Sequence, residues 1–298
     1  MQKITPNLWF NGNAKEAVDF YVSVFPKSKI LSTEYYPKST EDGLAPFQKK
    51  LAGQVLTIEF ELNGVSFVAI NAGSEFKPNP SISFFVNFDP SKDTTANESL
   101  DKLWNELMDG GKILMPLQEY PFSKHYGWVE DRFGVSWQLI LTNPEGEVRP
   151  FIVPSLMFVG ENAGKAEEAT DFYFSVFKDS QRGILARYPE GSGVDAGTLM
   201  YTDFRLEKTW LAAMDSAEDH KFQFTEGVSL SISCEDQEEI DYFWKKLSTV
   251  SEAEQCGWCK DKYGVSWQVV PKDIGELMKK PNAFSTMMQQ KKIVIDEY

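Results

Sequence analysis

DRFGVSWQLI at residues 131–140 and DKYGVSWQVV at residues 261–270 are near copies of each other. Each reads as a tight turn at Asp-x-aromatic-Gly, where Gly134 or Gly264 takes a backbone angle that a side chain resists, running into a strand of alternating faces. Working outward, the copies extend. ATDFYFSVF (169–177) answers AVDFYVSVF (17–25), FRLEKTWLAAM (204–214) answers FELNGVSFVAI (60–70), and VSLSISC (228–234) answers ISFFVNF (82–88). The chain is a tandem repeat.

Each half divides again. Residues 4–10 read as a strand, and Ala14, Ala17, Val18, Tyr21, Val24 and Phe25 fall at the spacing of an amphipathic helix. A loop rich in Lys, Ser, Thr and Pro follows, then a strand over 55–62, a tight hairpin at Asn63-Gly64 and the strand VSFVAIN. Residues 81–88 start the unit again, with a helix face of Leu100, Leu103, Trp104, Leu107 and Met108, a stop at Gly110-Gly111, a strand ILMPL, a loop through His125 and two closing strands. Half a chain thus holds two βαβββ modules, and the linker TNPEGEVRP has the polar Pro and Gly character of a boundary. Twenty positions separate Leu107 from Gly127 but only ten separate Leu247 from Gly257, so the last module is expected to lack the ILMPL strand. The first-half cup is expected to be the better pocket.

Composition narrows the partners. With 298 residues, 42% of them hydrophobic, the chain is long enough for two ordinary domains, expected at 1–145 and a shortened 150–272, with a helical and extended tail over 273–298. A net charge of −14 and the absence of long Lys/Arg runs argue against nucleic acid and membrane surfaces. No stretch approaches the roughly 20 apolar residues of a membrane span, and the N-terminus lacks an apolar leader core, so a cytoplasmic location is expected. Cys234, Cys256 and Cys259 are too few to staple two domains. Cys256 and Cys259 align with Tyr126 and Val129 within an expected strand, where residues three apart point to opposite faces and cannot bridge.

The strings TPNLWFNGNAKEAVDFYVSVF and DRFGVSWQLI, with their second-half counterparts, resemble the PhnB-like branch of the glyoxalase/bleomycin-resistance/dioxygenase (vicinal oxygen chelate) superfamily over nearly the whole chain. The resemblance implies an α+β fold of two tandem glyoxalase-like domains, each built from paired βαβββ modules that form a curved sheet with helices outside and a ligand cavity inside. It implies either a monomer that is its own pseudo-dimer or a homodimer. Members of the branch have carried the name of a demethylubiquinone methyltransferase, but the chain has no Gly-rich strand-to-helix turn of the nucleotide-holding kind.

The superfamily's usual chemistry depends on a divalent metal held by His, Gln or Glu from the first and last strands of each module. Counting back from Phe20-Tyr21, those positions fall near Pro6, Val68 and Gln138, and in the second half near Pro154, Ala212 and Gln268. Only Gln138 and Gln268 could contribute, short of the three or so ligands a catalytic site needs, so no metal and no cofactor are expected. The reading is a binder of a small organic molecule. An enzyme of the same superfamily is the first alternative, with Glu59 or His125 as the acid–base candidates. An interaction protein using the shortened half as a docking surface is the second. Expected ligand contacts are Trp9, Phe67, Tyr126, Gln138 and Gln268.

Overall fold

The computed structural model describes residues 2–192, 194, 197–216 and 218–298. The first module contributes β1 (Ile4–Phe10), α1 (Ala14–Val24), β2 (Lys29–Tyr35), β3 (Val55–Leu62) and β4 (Val65–Asn71). The second runs through β5 (Ile82–Phe88), α2 (Ala96–Met108), β6 (Lys112–Tyr120), β7 (Ser123–Glu130) and β8 (Ser136–Leu141). The third repeats the first, with β9 (Ile152–Phe158), α3 (Ala166–Val176), β10 (Ser180–Arg187), β11 (Leu199–Leu206) and β12 (Thr209–Asp215). The fourth is short: β13 (Val228–Cys234), α4 (Gln237–Leu247), a three-residue β14 (Trp258–Lys260) and β15 (Ser266–Pro271), followed by α5 (Ile274–Leu277) and α6 (Ala283–Gln289).

Local chemistry sets these elements. Asn63 and Gly64 both take positive φ, 47° and 85°, the two-residue turn that matches strand twist. Asp236 caps α4 by accepting from the Glu239 N–H at 2.9 Å. Gly127 sits so close to the ring of Trp104 that a Cβ there would lie 2.5 Å from it, which holds α2 tight against β7.

Sheet pairing departs from the expectation that each half closes its own cup. β1 runs antiparallel to β13, with Ile4 opposite Ile232, and β5 runs antiparallel to β9, with Ile82 opposite Leu156. The first and fourth modules therefore share a seven-stranded sheet, in the order β14-β15-β13-β1-β4-β3-β2. The second and third share an eight-stranded sheet, in the order β10-β11-β12-β9-β5-β8-β7-β6. Among the described residues the seven-stranded sheet has no strand in the position of β6, where the sequence is ten residues short.

Between the sheets lies the main core. Phe67 of β4 meets Phe84 of β5 with ring centroids 5.2 Å apart, and Phe84 meets Trp137 at the same separation. The helices pack on this side of both sheets, and the opposite faces form the two cups. Within each half the repeated Asp ties the modules together. Asp131 Oδ1 accepts from the N–H groups of Phe133 and Val135, and Oδ2 accepts from Trp137 Nε1 and from the Tyr21 hydroxyl of α1, each at 2.8 Å. Asp261 does the same with Tyr263, Val265, Trp267 and Tyr173. Burial raises the Asp131 carboxyl to about 6, against the pull of these donors.

The tail joins the β14 edge of the seven-stranded sheet to the loop after β2. Cys256 and Gly257 donate backbone N–H groups to the carbonyls of Gln290 and Lys291 at 2.8 and 2.7 Å, beside β14 where β6 would stand beside β7. Ile293 is fully buried in the core. At its other end Phe284 packs on Tyr36, and Ser285 lies against Gly43, in the loop between β2 and β3. Its last residues form a 3-10 turn over Ile295–Glu297, where an extended end was expected. Cys256 occupies a turn with φ 53°, not a strand, and Cys259 is buried on β14.

Candidate ligand-binding site

Strand alternation sorts the expected site residues. On β1, Ile4, Pro6, Leu8 and Phe10 face the core, which turns Thr5, Asn7 and Trp9 to the cup. Trp9, Glu59 and Gln268 share the cup face of the seven-stranded sheet, while Tyr126 and Gln138 lie on that of the eight-stranded sheet. Phe67 does not line a cup: it is 1% exposed between the sheets and stacks on Phe60. His125 is on β7 instead of a loop, and its Nε2 lies 2.6 Å from Asp101 Oδ1 of α2, on the helix side. The sheets thus separate the five expected contacts and bring neither catalytic candidate near the other.

The eight-stranded cup is filled by its own side chains. Phe85, Tyr126, Trp128, Val153 and Met157 are buried there, covered by Met115 and Tyr120 of β6, by Tyr201 and by Phe222. Gln138 is 2% exposed and spoken for: Oε1 accepts from the Tyr126 hydroxyl at 2.6 Å and Nε2 donates to Ser83 Oγ at 2.7 Å. Burial also raises the Tyr126 hydroxyl well above its ordinary pKa, so it acts as a donor to Gln138. Asp203 holds the equivalent of the Glu59 position and was not singled out in the sequence. It accepts from Arg149 Nε at 2.7 Å and from the Ile184 N–H at 2.7 Å, and the Arg149 guanidinium lies 4.1 Å over the Trp210 ring. Its signals were the alignment of Asp203 with Glu59 and a lone Arg in the linker.

The seven-stranded cup is a partly exposed trough. Val68, Ile70, Ser231, Gln268 and Trp258 are all partly exposed and Glu59 is exposed at one side, while Asn7 and Ser229 beneath them are buried. Its floor is polar: Gln268 Nε2 donates to Ser229 Oγ at 2.9 Å, and Asn7 Nδ2 donates to Ser231 Oγ and to the Thr5 carbonyl at 2.9 Å. The physical reason for the difference is the missing counterpart of β6, whose side chains close the other cup. The expectation of a better first-half pocket is thereby replaced: the open face belongs to the first and fourth modules together.

The metal positions can now be tested against the donor set. Pro6 and Pro154 turn to the core, and their neighbours Asn7 and Ser155 face the cups. The seven-stranded cup offers Asn7, Val68, Ser229 and Gln268 at its first and last strands, and the other cup offers Ser155, Ala212, Ser83 and Gln138. These are neutral amides, hydroxyls and alkyl groups, mostly tied to one another, and do not fit a divalent metal. Among the described residues no three His, Cys, Asp or Glu side chains converge, and no helix is long and apolar enough to cross a membrane.

Comparison with known proteins places the chain. The family model described as 3-demethylubiquinone-9 3-methyltransferase matches residues 2–140 and 150–270. A PhnB protein from Bacillus cereus is 38% identical over 47% of this chain and 100% of its own, with a TM-score of 0.40. A protein from Staphylococcus aureus is 35% identical over 48% of this chain and 98% of its own, with a TM-score of 0.19. Glyoxalase I from Zea mays is similar in fold over 91% of this chain and 94% of its own, at 12% identity and a TM-score of 0.51. A search of curated proteins found no match. The chain therefore belongs to the family described as 3-demethylubiquinone-9 3-methyltransferase, whose model its two halves match in turn.

Proposed function

We propose that this protein binds a small organic molecule, without a divalent metal, in the trough of the seven-stranded sheet. The observation that carries the reading is internal: the same scaffold occurs twice, one cup filled by apolar side chains with Gln138 bonded to Tyr126 and Ser83, the other partly exposed along Val68, Ile70, Ser231 and Gln268 above a polar floor of Asn7 and Ser229. A Gln or Asn amide both donates and accepts, which suits orientation of a neutral ligand. Glu59 stands opposite Val68 in the β3–β4 register.

Methyl transfer, the activity in the family's description, is not carried over. Helix N-termini hold anionic cofactors in other folds, and those of α1 and α3 are capped here from within, Ala14 N–H by Asn71 Oδ1 at 3.0 Å and Ala166 N–H by Asp215 Oδ1 at 3.1 Å. A thermal-shift screen of small metabolites on the wild type and on Val68→Trp, which fills the trough, tests the proposal. A ligand that raises the midpoint of the wild type and leaves the variant unmoved is the expected result. Equal stabilisation of both chains, or stabilisation by divalent metals alone, would overturn it.

A further inference from the structure

We infer that the trough takes a flat aromatic ligand carrying an O–H or N–H donor, held against Trp9, and that Trp258 turns toward Ser266 to admit it. This rests on the trough being the binding face, as proposed above.

The repeat supplies its own control. Trp128 stands opposite Gln138 and Glu130 opposite Ser136, and Trp258 stands opposite Gln268 and Lys260 opposite Ser266 in the same register. In the eight-stranded sheet Trp128 Nε1 donates to Ser136 Oγ at 2.6 Å. In the seven-stranded sheet the equivalent bond is not made. Trp258 leans instead onto Trp9, ring centroids 5.8 Å apart at 77°, and Ser266 Oγ is left buried, the residue 1% exposed, with no partner among the described residues.

The two indoles come from strands separated by β13 and β15, so they meet above the floor that Ser229 and Gln268 share. Trp9 is the fixed side of the clamp. Its Nε1 donates to the Gly73 carbonyl at 2.8 Å and its ring meets Phe76 at a right angle, centroids 5.1 Å apart. Turning Trp258 to the orientation of Trp128 exchanges an edge-to-face contact for a hydrogen bond to a buried hydroxyl, gains of similar size, so a ligand needs little differential affinity to shift the balance. The turn frees the aromatic face of Trp9 and uncovers the floor.

The polar end of the ligand follows from the neighbouring ion pair. Lys260 Nζ lies 2.9 Å from Glu226 Oε1, while Glu226 Oε2 is buried without a partner among the described residues. A carboxylate oxygen only accepts, so the group it lacks is a donor. An aromatic ring against Trp9 with an O–H or N–H directed toward Glu226 satisfies both.

The test uses 4-fluorophenol, followed by fluorine NMR, with cyclohexanol as the donor that lacks an aromatic face. The wild type is expected to bind the phenol at least tenfold more tightly than cyclohexanol. Trp258→Phe and Trp9→Phe should weaken the phenol severalfold, and Ser266→Ala about threefold or more. The Trp258 indole N–H resonance should move downfield on binding in the wild type and stay in place in Ser266→Ala, a readout that loss of packing alone does not give. Phenol binding that Val68→Trp abolishes and the Trp and Ser variants leave unchanged would overturn the clamp and keep the trough. Stabilisation by aliphatic compounds with no phenol binding would overturn the aromatic class alone. Binding that none of the variants alters would overturn both readings.

Discussion

Tyr21→Phe removes one oxygen and nothing else from the joint between the first two modules. The Tyr21 hydroxyl donates to Asp131 Oδ2 at 2.8 Å, the tyrosine is fully buried, and Asp131 is 3% exposed, so water cannot replace the bond. Against an ionised carboxylate such a bond contributes about 1.5–3 kcal/mol, and against a neutral carboxyl about 0.5–1.5 kcal/mol. Burial holds the Asp131 pKa at about 6, so the charge state changes in an accessible range. A folded pKa raised above the unfolded value near 3.8 means that the folded chain binds the extra proton. That contribution to stability is complete below about pH 4 and is lost as pH rises through about 6. Removing the Tyr21 donor raises the folded pKa further, so the variant loses more than the wild type over the same window. Urea unfolding at pH 5 and pH 8, followed by tryptophan fluorescence, should give a cost of about 1 kcal/mol at the lower pH and about 2–3 kcal/mol at the higher. A cost below about 0.5 kcal/mol at pH 8, or one that does not grow with pH, would refute the assignment of Asp131 as the hub joining α1 to the turn.

Three further outcomes follow from other parts of the molecule. Arg149→Met leaves Asp203, whose side chain is 2% exposed, without its cation, and should cost about 3–5 kcal/mol; pairing it with Asp203→Asn should recover part of the loss. Ile293→Ala opens a hole where the tail plugs the core and should cost about 2–5 kcal/mol, with the tail becoming cleavable in limited proteolysis. An unchanged cleavage pattern would mean that Ile293 does not hold the tail. Burial pushes the Cys234 thiol up to about 12 and raises Cys259 and Cys256 as well, but of the three only Cys256 is partly exposed to a reagent. Ellman's reagent at pH 8 should therefore modify one thiol in the native chain, absent from Cys256→Ser, and all three in urea.

Much of the fold was legible because the sequence repeats. The Asp-x-aromatic-Gly turn, the Asn63-Gly64 hairpin and the helix faces of Leu100, Leu103, Trp104 and Leu107 have short-range causes that a string of residues displays. The βαβββ module implied a strand after α1 and α3 but its place could not be assigned: KILSTEY and SQRGILAR of β2 and β10 lie at sheet edges, mostly exposed on both faces, so they lack the alternation of a half-buried strand. The cross-half pairing of β1 with β13 was not legible because all four modules carry the same pattern, and nothing in a shared pattern says which edges meet. For the site, alternation placed Gln138 and Gln268 on cup faces, yet it could not show that Tyr126 and Ser83 already bond the first. Trp9 and Trp258 lie 249 positions apart in the sequence, and only the sheet order brings them together.

The central claim is that of two cups built from the same module, the seven-stranded one is the binding face. Amide chemical-shift mapping with the best ligand from the thermal-shift screen tests it most directly. Shifts concentrated at Asn7, Val68, Ser229 and Gln268, with Ser83, Tyr126 and Gln138 unmoved, are the predicted result. Shifts centred on Tyr126 and Gln138 would contradict it, because the filled cup would then be the one that opens.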